Sequence, residues 1–146
     1  MLMKIAVVDE TGGLDAKYRS RLKKIANTVL KSAGVPNNAE LCVSFISDEK
    51  MRELNRAYRN IDRTTDVLSF EQGEEGPDYT LLGDIVISLD TAGRHSESYG
   101  NTLHEEIKKL IVHGILHLLG HDHKKKKETE IMREKEAELL SGVKDL

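Results

Sequence analysis

Residues 113–123, His113-Gly114-Ile115-Leu116-His117-Leu118-Leu119-Gly120-His121-Asp122-His123, constrain the chain more than any other stretch. His113 and His117 are four apart, so on a helix they rise from one face with about 6 Å between β-carbons. Gly120 accepts the left-handed conformation that ends a helix, so the chain can turn back and bring His123 towards the same point. Three neutral imidazoles with one open position describe a catalytic metal site. A structural site is closed by a fourth side chain, usually cysteine, and the single cysteine, Cys42, lies far away in sequence.

The spacing His-x-x-x-His-x-x-Gly-x-x-His is also that of the metzincin proteases. Those enzymes carry a glutamate directly after the first histidine as general base, and Gly114 stands there instead, unable to move a proton. Zinc is the first choice for a tetrahedral imidazole site, with nickel, copper or iron as alternatives that ligand type does not separate. His121 is a competing ligand, but Gly120 interrupts the helix that would align it with His117. Asp122 is a candidate to orient a ligand through its second ring nitrogen, or simply ends the helix.

A chain of 146 residues fits one domain, and 38% hydrophobic with 32% charged residues fits a globular, water-facing protein. A net charge of −3 means that any polyanion must be held by a local patch. Cys42 cannot form an internal disulfide and reads as a small buried residue. The N-terminal apolar run meets Asp9 and Glu10 too soon for a signal peptide, and no run approaches the ~20 apolar residues of a membrane span. These features predict a cytosolic protein.

Residues 3–9 read as a buried strand, and Leu14 to Ala33 as an amphipathic helix stopped by Gly34 and Pro36. Residues 40–47 alternate as a half-buried strand. A second helix is predicted after Ser47 and Asp48, running to about Asn60, with Arg52, Arg56, Arg59 and Arg63 on one stripe. That stripe is either a phosphate-binding row or an ordinary helix surface. Residues 66–70 read as a strand, 71–80 as an acidic loop, and Leu81 to Ser88 as a strand buried on both sides. A short helix over Asp90–Tyr99 ends at Gly100, and Thr102 with Glu105 forms a capping box for the histidine helix. His95 and His104 read as surface residues. Lys124 to Lys127 either steer a polyanion or form a connector, and a last amphipathic helix passes through Ile131, Met132, Ala137, Leu139 and Leu140 to Gly142.

Three segments resemble one family closely, the YbeY family of bacterial metallo-endoribonucleases linked to ribosomal RNA processing. They are Leu54-Asn55-Arg56-Ala57-Tyr58-Arg59 leading to Asp62 and Thr65-Asp66-Val67-Leu68-Ser69-Phe70; Leu82-Gly83-Asp84-Ile85-Val86-Ile87-Ser88; and the histidine segment. The resemblance implies an α+β fold in a single compact domain over residues 1–146. A four-stranded mixed sheet would pack with about five helices, one of them a zincin-like metal helix. It implies one zinc ion on His113, His117 and His123, and an arginine important for activity at Arg59. The implied activity is single-strand-specific RNA cleavage in maturation of the 3′ end of small-subunit ribosomal RNA and in ribosome quality control. The partners would be ribosomal RNA and the ribosome, with no DNA and no membrane. Two positions depart from the family pattern: His121 stands where tyrosine is common, and Glu71 where proline commonly follows the Ser-Phe pair.

Three functions therefore compete. Endoribonuclease action asks for a nucleophile activated at the metal and a cation at the phosphate, which Arg59 would supply. A metal-dependent hydrolase of another substrate, such as a peptide, lacks its glutamate at Gly114. A non-catalytic ribosome assembly factor with a metal-stabilised fold would need a fourth ligand.

Overall fold

Four polar side chains fix where helices start. Asp15, Ser47, Ser88 and Thr102 each accept a hydrogen bond from a backbone N–H three residues on, at Tyr18, Lys50, Thr91 and Glu105. Each satisfies one of the donors that a helix N-terminus leaves orphaned. In the computed structural model, which describes residues 3–77, 79–121 and 126–146 with the main chain alone at Glu75, nine elements follow in order. They are β1 (Lys4–Asp9), α1 (Ala16–Ser32), β2 (Ala39–Ile46), α2 (Asp48–Arg59), β3 (Val67–Glu75), β4 (Thr80–Ser88), α3 (Leu89–Tyr99), α4 (Leu103–Leu118) and α5 (Lys126–Gly142). Among the described residues no helix is long and apolar enough to cross a membrane.

The strands form one mixed sheet in the order β1-β2-β4-β3. β2 pairs in parallel with β1 and with β4, while β3 returns antiparallel along the outer edge of β4. The α+β class, the four-stranded mixed sheet and the five helices are thus as expected. Alternation decides which helices cover which face. Leu41, Val43 and Phe45 of β2, with Ile85 and Ile87 of β4, join the large core beneath α1, α4 and α5. Ile46, Val86 and Leu68 point the other way and pack under Met51 of α2. The sheet therefore separates α2 from α4, and both reach its β3 edge.

Several local expectations are corrected. The acidic stretch 71–80 is not all loop, because β3 continues to Glu75 by pairing with β4, and Gly76 N donates to Tyr79 O at 2.8 Å to close the hairpin. Gly73, at φ +60°, takes up the register shift between Glu71 and Glu74. An edge strand tolerates charges because one of its sides faces water. β1 is an edge strand as well, not a buried one: Val7 alone of its residues is buried. Cys42 is only half-buried, since it and Ser44 point away from the core residues Leu41 and Val43. Ile131 of α5 is exposed, and the helix buries only Met132 and Leu139.

His104 is not a free surface residue either. Its Nε2 lies 3.2 Å from the main-chain oxygen of Leu146, which can only accept, so Nε2 carries the proton and Nδ1 accepts from the Tyr18 hydroxyl at 2.6 Å. Burial, aided by Arg21, lowers the His104 pKa, and burial pushes Tyr18 up to about 12. The pair ties α1 to α4 and to the chain end.

Candidate metal centre and pocket

The histidine helix presents His113 and His117 where α4 overhangs β3. Their Nε2 atoms are 3.0 Å apart, and the rings meet edge to face with centroids at 4.5 Å. Two imidazole nitrogens bound to one tetrahedral ion at about 2.0–2.1 Å would stand roughly 3.3 Å apart, so the pair has nearly the bite a single ion requires. Two nitrogen donors converging in this way fit zinc or another imidazole-seeking ion. His113 Nδ1, on the far side of its ring, lies 2.8 Å from Oε1 of Glu136 in α5.

The helix stops directly after this pair. Gly120, at φ +93°, allows its own N–H to reach His117 O at 3.0 Å and the N–H of His121 to reach Leu116 O at 3.0 Å, a paired closure of the last turn. The helix end expected at Gly120 is present, and the return of the chain towards the pair falls on residues outside those described. His123 and Asp122 lie outside the described residues, as do Lys124 and Lys125.

Gly114 explains how close the metal helix comes to the sheet. A β-carbon built there would lie 2.8 Å from Ile85 Cγ2, so α4 lies on β4 with no room for any side chain. Ser69 Oγ of β3 donates to the Gly114 carbonyl at 3.3 Å and pins the two elements together. The place of the metzincin glutamate thus faces packed sheet. On β4, Gly83 is held more tightly still, at φ +143°, against the Phe70 carbonyl.

A pocket of about 420 Å³ opens beside the two histidines, within the range of small-ligand sites. Its walls are Arg59 at the end of α2, residues 65–69 and Glu71 leading into β3, and His113, His117 and Leu118 of α4. Arg59 and the histidines, which come from opposite faces of the sheet, are thereby brought together. Of the other arginines on the stripe, Arg52 is held by Asp62 through a forked pair of bonds at 2.9 and 3.2 Å, and Arg63 lines a separate depression with Asp48. Of the stripe of four, Arg59 stands at the pocket, and the reading as an ordinary helix surface suits Arg52.

The chain after Arg59 is held in place from several sides. Asn60 takes the left-handed conformation at φ 56°, ending α2, and the buried Asn55 side chain donates to Arg63 O at 2.9 Å. Asp48 then ties this loop to two other elements: its Oδ1 accepts from Ser88 and Thr91 at 2.6 Å and from Thr64 at 3.2 Å, and Arg94 Nη1 stands 2.7 Å from Oδ2. Burial raises the Asp48 pKa, but the bonds from Arg94, Ser88 and Thr91 outweigh it and hold the carboxyl well below its ordinary value. At the pocket, Asp66 Oδ1 accepts from Val67 N at 2.8 Å, and Oδ2 stands 3.4 Å from Nδ1 of the half-buried His95, without hydrogen-bond geometry. His95 thus flanks the pocket wall.

Sequence reasoning did not find Glu136. Its contact depends on how α5 is rotated against α4, and the only signal was an acid amid the charged residues of the last helix. Nor did it single out Ser69, whose bond to Gly114 needs the β3–α4 packing.

Known proteins resemble this chain along most of its length. The chain is 50% identical to the endoribonuclease YbeY of Aquifex aeolicus over 126 residues, which cover 86% of this chain and 83% of that one. It is 40% identical to the endoribonuclease YbeY of Bacillus velezensis over 149 residues, covering 96% and 95% of the two chains. A Thermotoga maritima protein whose structure was solved in solution superposes with a TM-score of 0.62 at 26% identity, covering 97% of this chain and 92% of its own. The family profile described as Endoribonuclease YbeY matches residues 4–144, which leaves almost nothing of the sequence outside it, and the chain belongs to that family.

Proposed function

We propose that this chain, as one hydrolase domain over residues 1–146, is a metal-dependent endoribonuclease that cuts single-stranded RNA. The observation that carries the reading is the meeting of Arg59 with the converging Nε2 atoms of His113 and His117 in one pocket. The converging nitrogens of His113 and His117 support a zinc ion that these two would hold together with His123. When bound, the ion supplies Lewis-acid activation of the nucleophile and of the phosphoryl oxygen.

The chain's own residues do the rest. Arg59 offers a planar fork of N–H donors that matches two phosphate oxygens, and it is placed to stabilise the extra negative charge that grows on them as the new bond forms. Asp48, Asn55 and Asn60 hold the main chain that delivers Arg59, so the ordering left for binding is that of its side chain. The walls from β3 and α4 shield the pocket from water on two sides. The packing at Gly114 leaves no place for a carboxylate base beside the first histidine, which favours a phosphodiester over a peptide substrate.

Ribosomal RNA is the substrate this reading names, at the 3′ end of the small-subunit RNA, with the small subunit as partner and ribosome quality control as the wider role, in the cytosol. The support is family membership and the pocket's chemistry. Zinc-loaded protein is expected to cut a single-stranded RNA and to spare the same sequence in a duplex. His117→Ala and Arg59→Ala should each abolish or greatly reduce cutting in nuclease-free preparations. Cleavage at the wild-type rate by both variants would overturn the proposal.

A further inference from the structure

The last helix is held to the core by a thin apolar seam. α5 buries only Met132 and Leu139, with Val143 just beyond it, a narrow seam for a helix of 17 residues. Polar contacts with α4 among the described residues supplement that seam. Lys108, itself buried, donates from Nζ to the carbonyls of Val143 and Lys144 at 3.2 and 3.3 Å, closing the helix end. Glu136, seven residues earlier, meets His113 Nδ1 at 2.8 Å, with side chains 20% and 29% exposed.

From the second contact we infer that Glu136 is a positioning residue of the metal centre, and the inference rests on the metal reading above. A carboxylate only accepts, so it holds the proton of neutral His113 on Nδ1 and leaves the lone pair on Nε2, the atom facing His117. It also locks the ring's rotation, so that Nε2 is aimed before an ion arrives. Negative charge behind the ring makes Nε2 a stronger donor. Glu136 cannot itself take the ion while it holds this bond, because it occupies the opposite nitrogen. A helix that contributes none of the expected ligands therefore governs one of them.

The experiment measures zinc affinity by competition with a chromogenic chelator, together with the His113 tautomer read from imidazole nitrogen shifts in the metal-free protein. Wild type, Glu136→Ala, Glu136→Gln and His117→Ala are compared. Glu136→Ala should weaken zinc binding by about 10- to 100-fold and release His113 into a mixture of tautomers. Glu136→Gln, which keeps the size and an acceptor oxygen, should lose less and guards against a folding defect, with circular dichroism confirming helix content. Should both Glu136 variants bind zinc as wild type does with the tautomer unchanged, the role given to Glu136 is overturned. Should wild type itself bind no zinc, or His117→Ala bind it equally well, the metal reading falls and this inference with it.

Discussion

At the scale of single residues, Arg59 and Gly114 carry opposite kinds of information. Arg59 is one of several arginines near the end of α2, and only position separates it from Arg52, which Asp62 holds away in a salt bridge. If Arg59 stabilises charge at the phosphate, Arg59→Ala should lower kcat for RNA cleavage by about 10²- to 10³-fold. Arg59→Lys should recover part of this, since a point charge replaces a fork. Single-turnover cleavage separates the effect from binding. Gly114 is informative for what it excludes. Gly114→Ala must push against Ile85 and is expected to cost about 1–3 kcal/mol in urea denaturation. Gly114→Glu should create no peptidase, because the new side chain would enter the sheet packing and not the pocket.

At the scale of elements, the strongest periodic patterns were legible and the pairings were not. α2 starts at Ser47 and ends at Asn60 as its capping residues indicate, and the box of Thr102 and Glu105 opens α4 as expected. The sequence places the end of β3 five residues early because Glu71 to Glu75 look like solvated loop. Only a partner strand reveals that β4 supplies the backbone bonds which make this charged stretch extended. The same reason hid Glu136 and the exposure of Ile131, as both depend on helix rotation, which a weakly amphipathic α5 does not encode. The Asp48 junction is a further case, joining α2, the loop at Thr64 and the start of α3 through one carboxylate. Its pKa is lowered in the fold, so the unfolded chain binds the proton more tightly. The contribution is complete above the ordinary value of 3.8 and is lost as pH falls below it towards the folded value. Asp48→Asn should cost about 2 kcal/mol at neutral pH. As pH falls below about 4 the difference between variant and wild type should shrink progressively, and urea midpoints across that range check the sign.

At the scale of the whole molecule, the histidines were the most legible part of the site and the core explains why they need not hold the fold together. The large cluster under α1, α4 and α5 runs from Leu22 and Ile25 through Phe45 and Ile85 to Ile111 and Ile115 as one body of buried apolar side chains. A chain that buries this much does not need an ion to fold, in contrast with small metal-nucleated domains. Chelator-treated protein is therefore expected to keep its helix content and to unfold cooperatively. Zinc at 100 times its dissociation constant should stabilise the native state by about 2.7 kcal/mol. For a chain of this size that corresponds to a rise in Tm of roughly 5–10 °C. Calorimetry with and without chelator decides between a resident ion added to a finished fold and one that the fold requires. Loss of cooperative unfolding on chelation would turn the argument towards a structural metal and the assembly-factor reading. A modest, saturable rise in Tm, with RNA cleavage lost on chelation and restored by zinc, is the outcome that the pocket and the continuous core together demand.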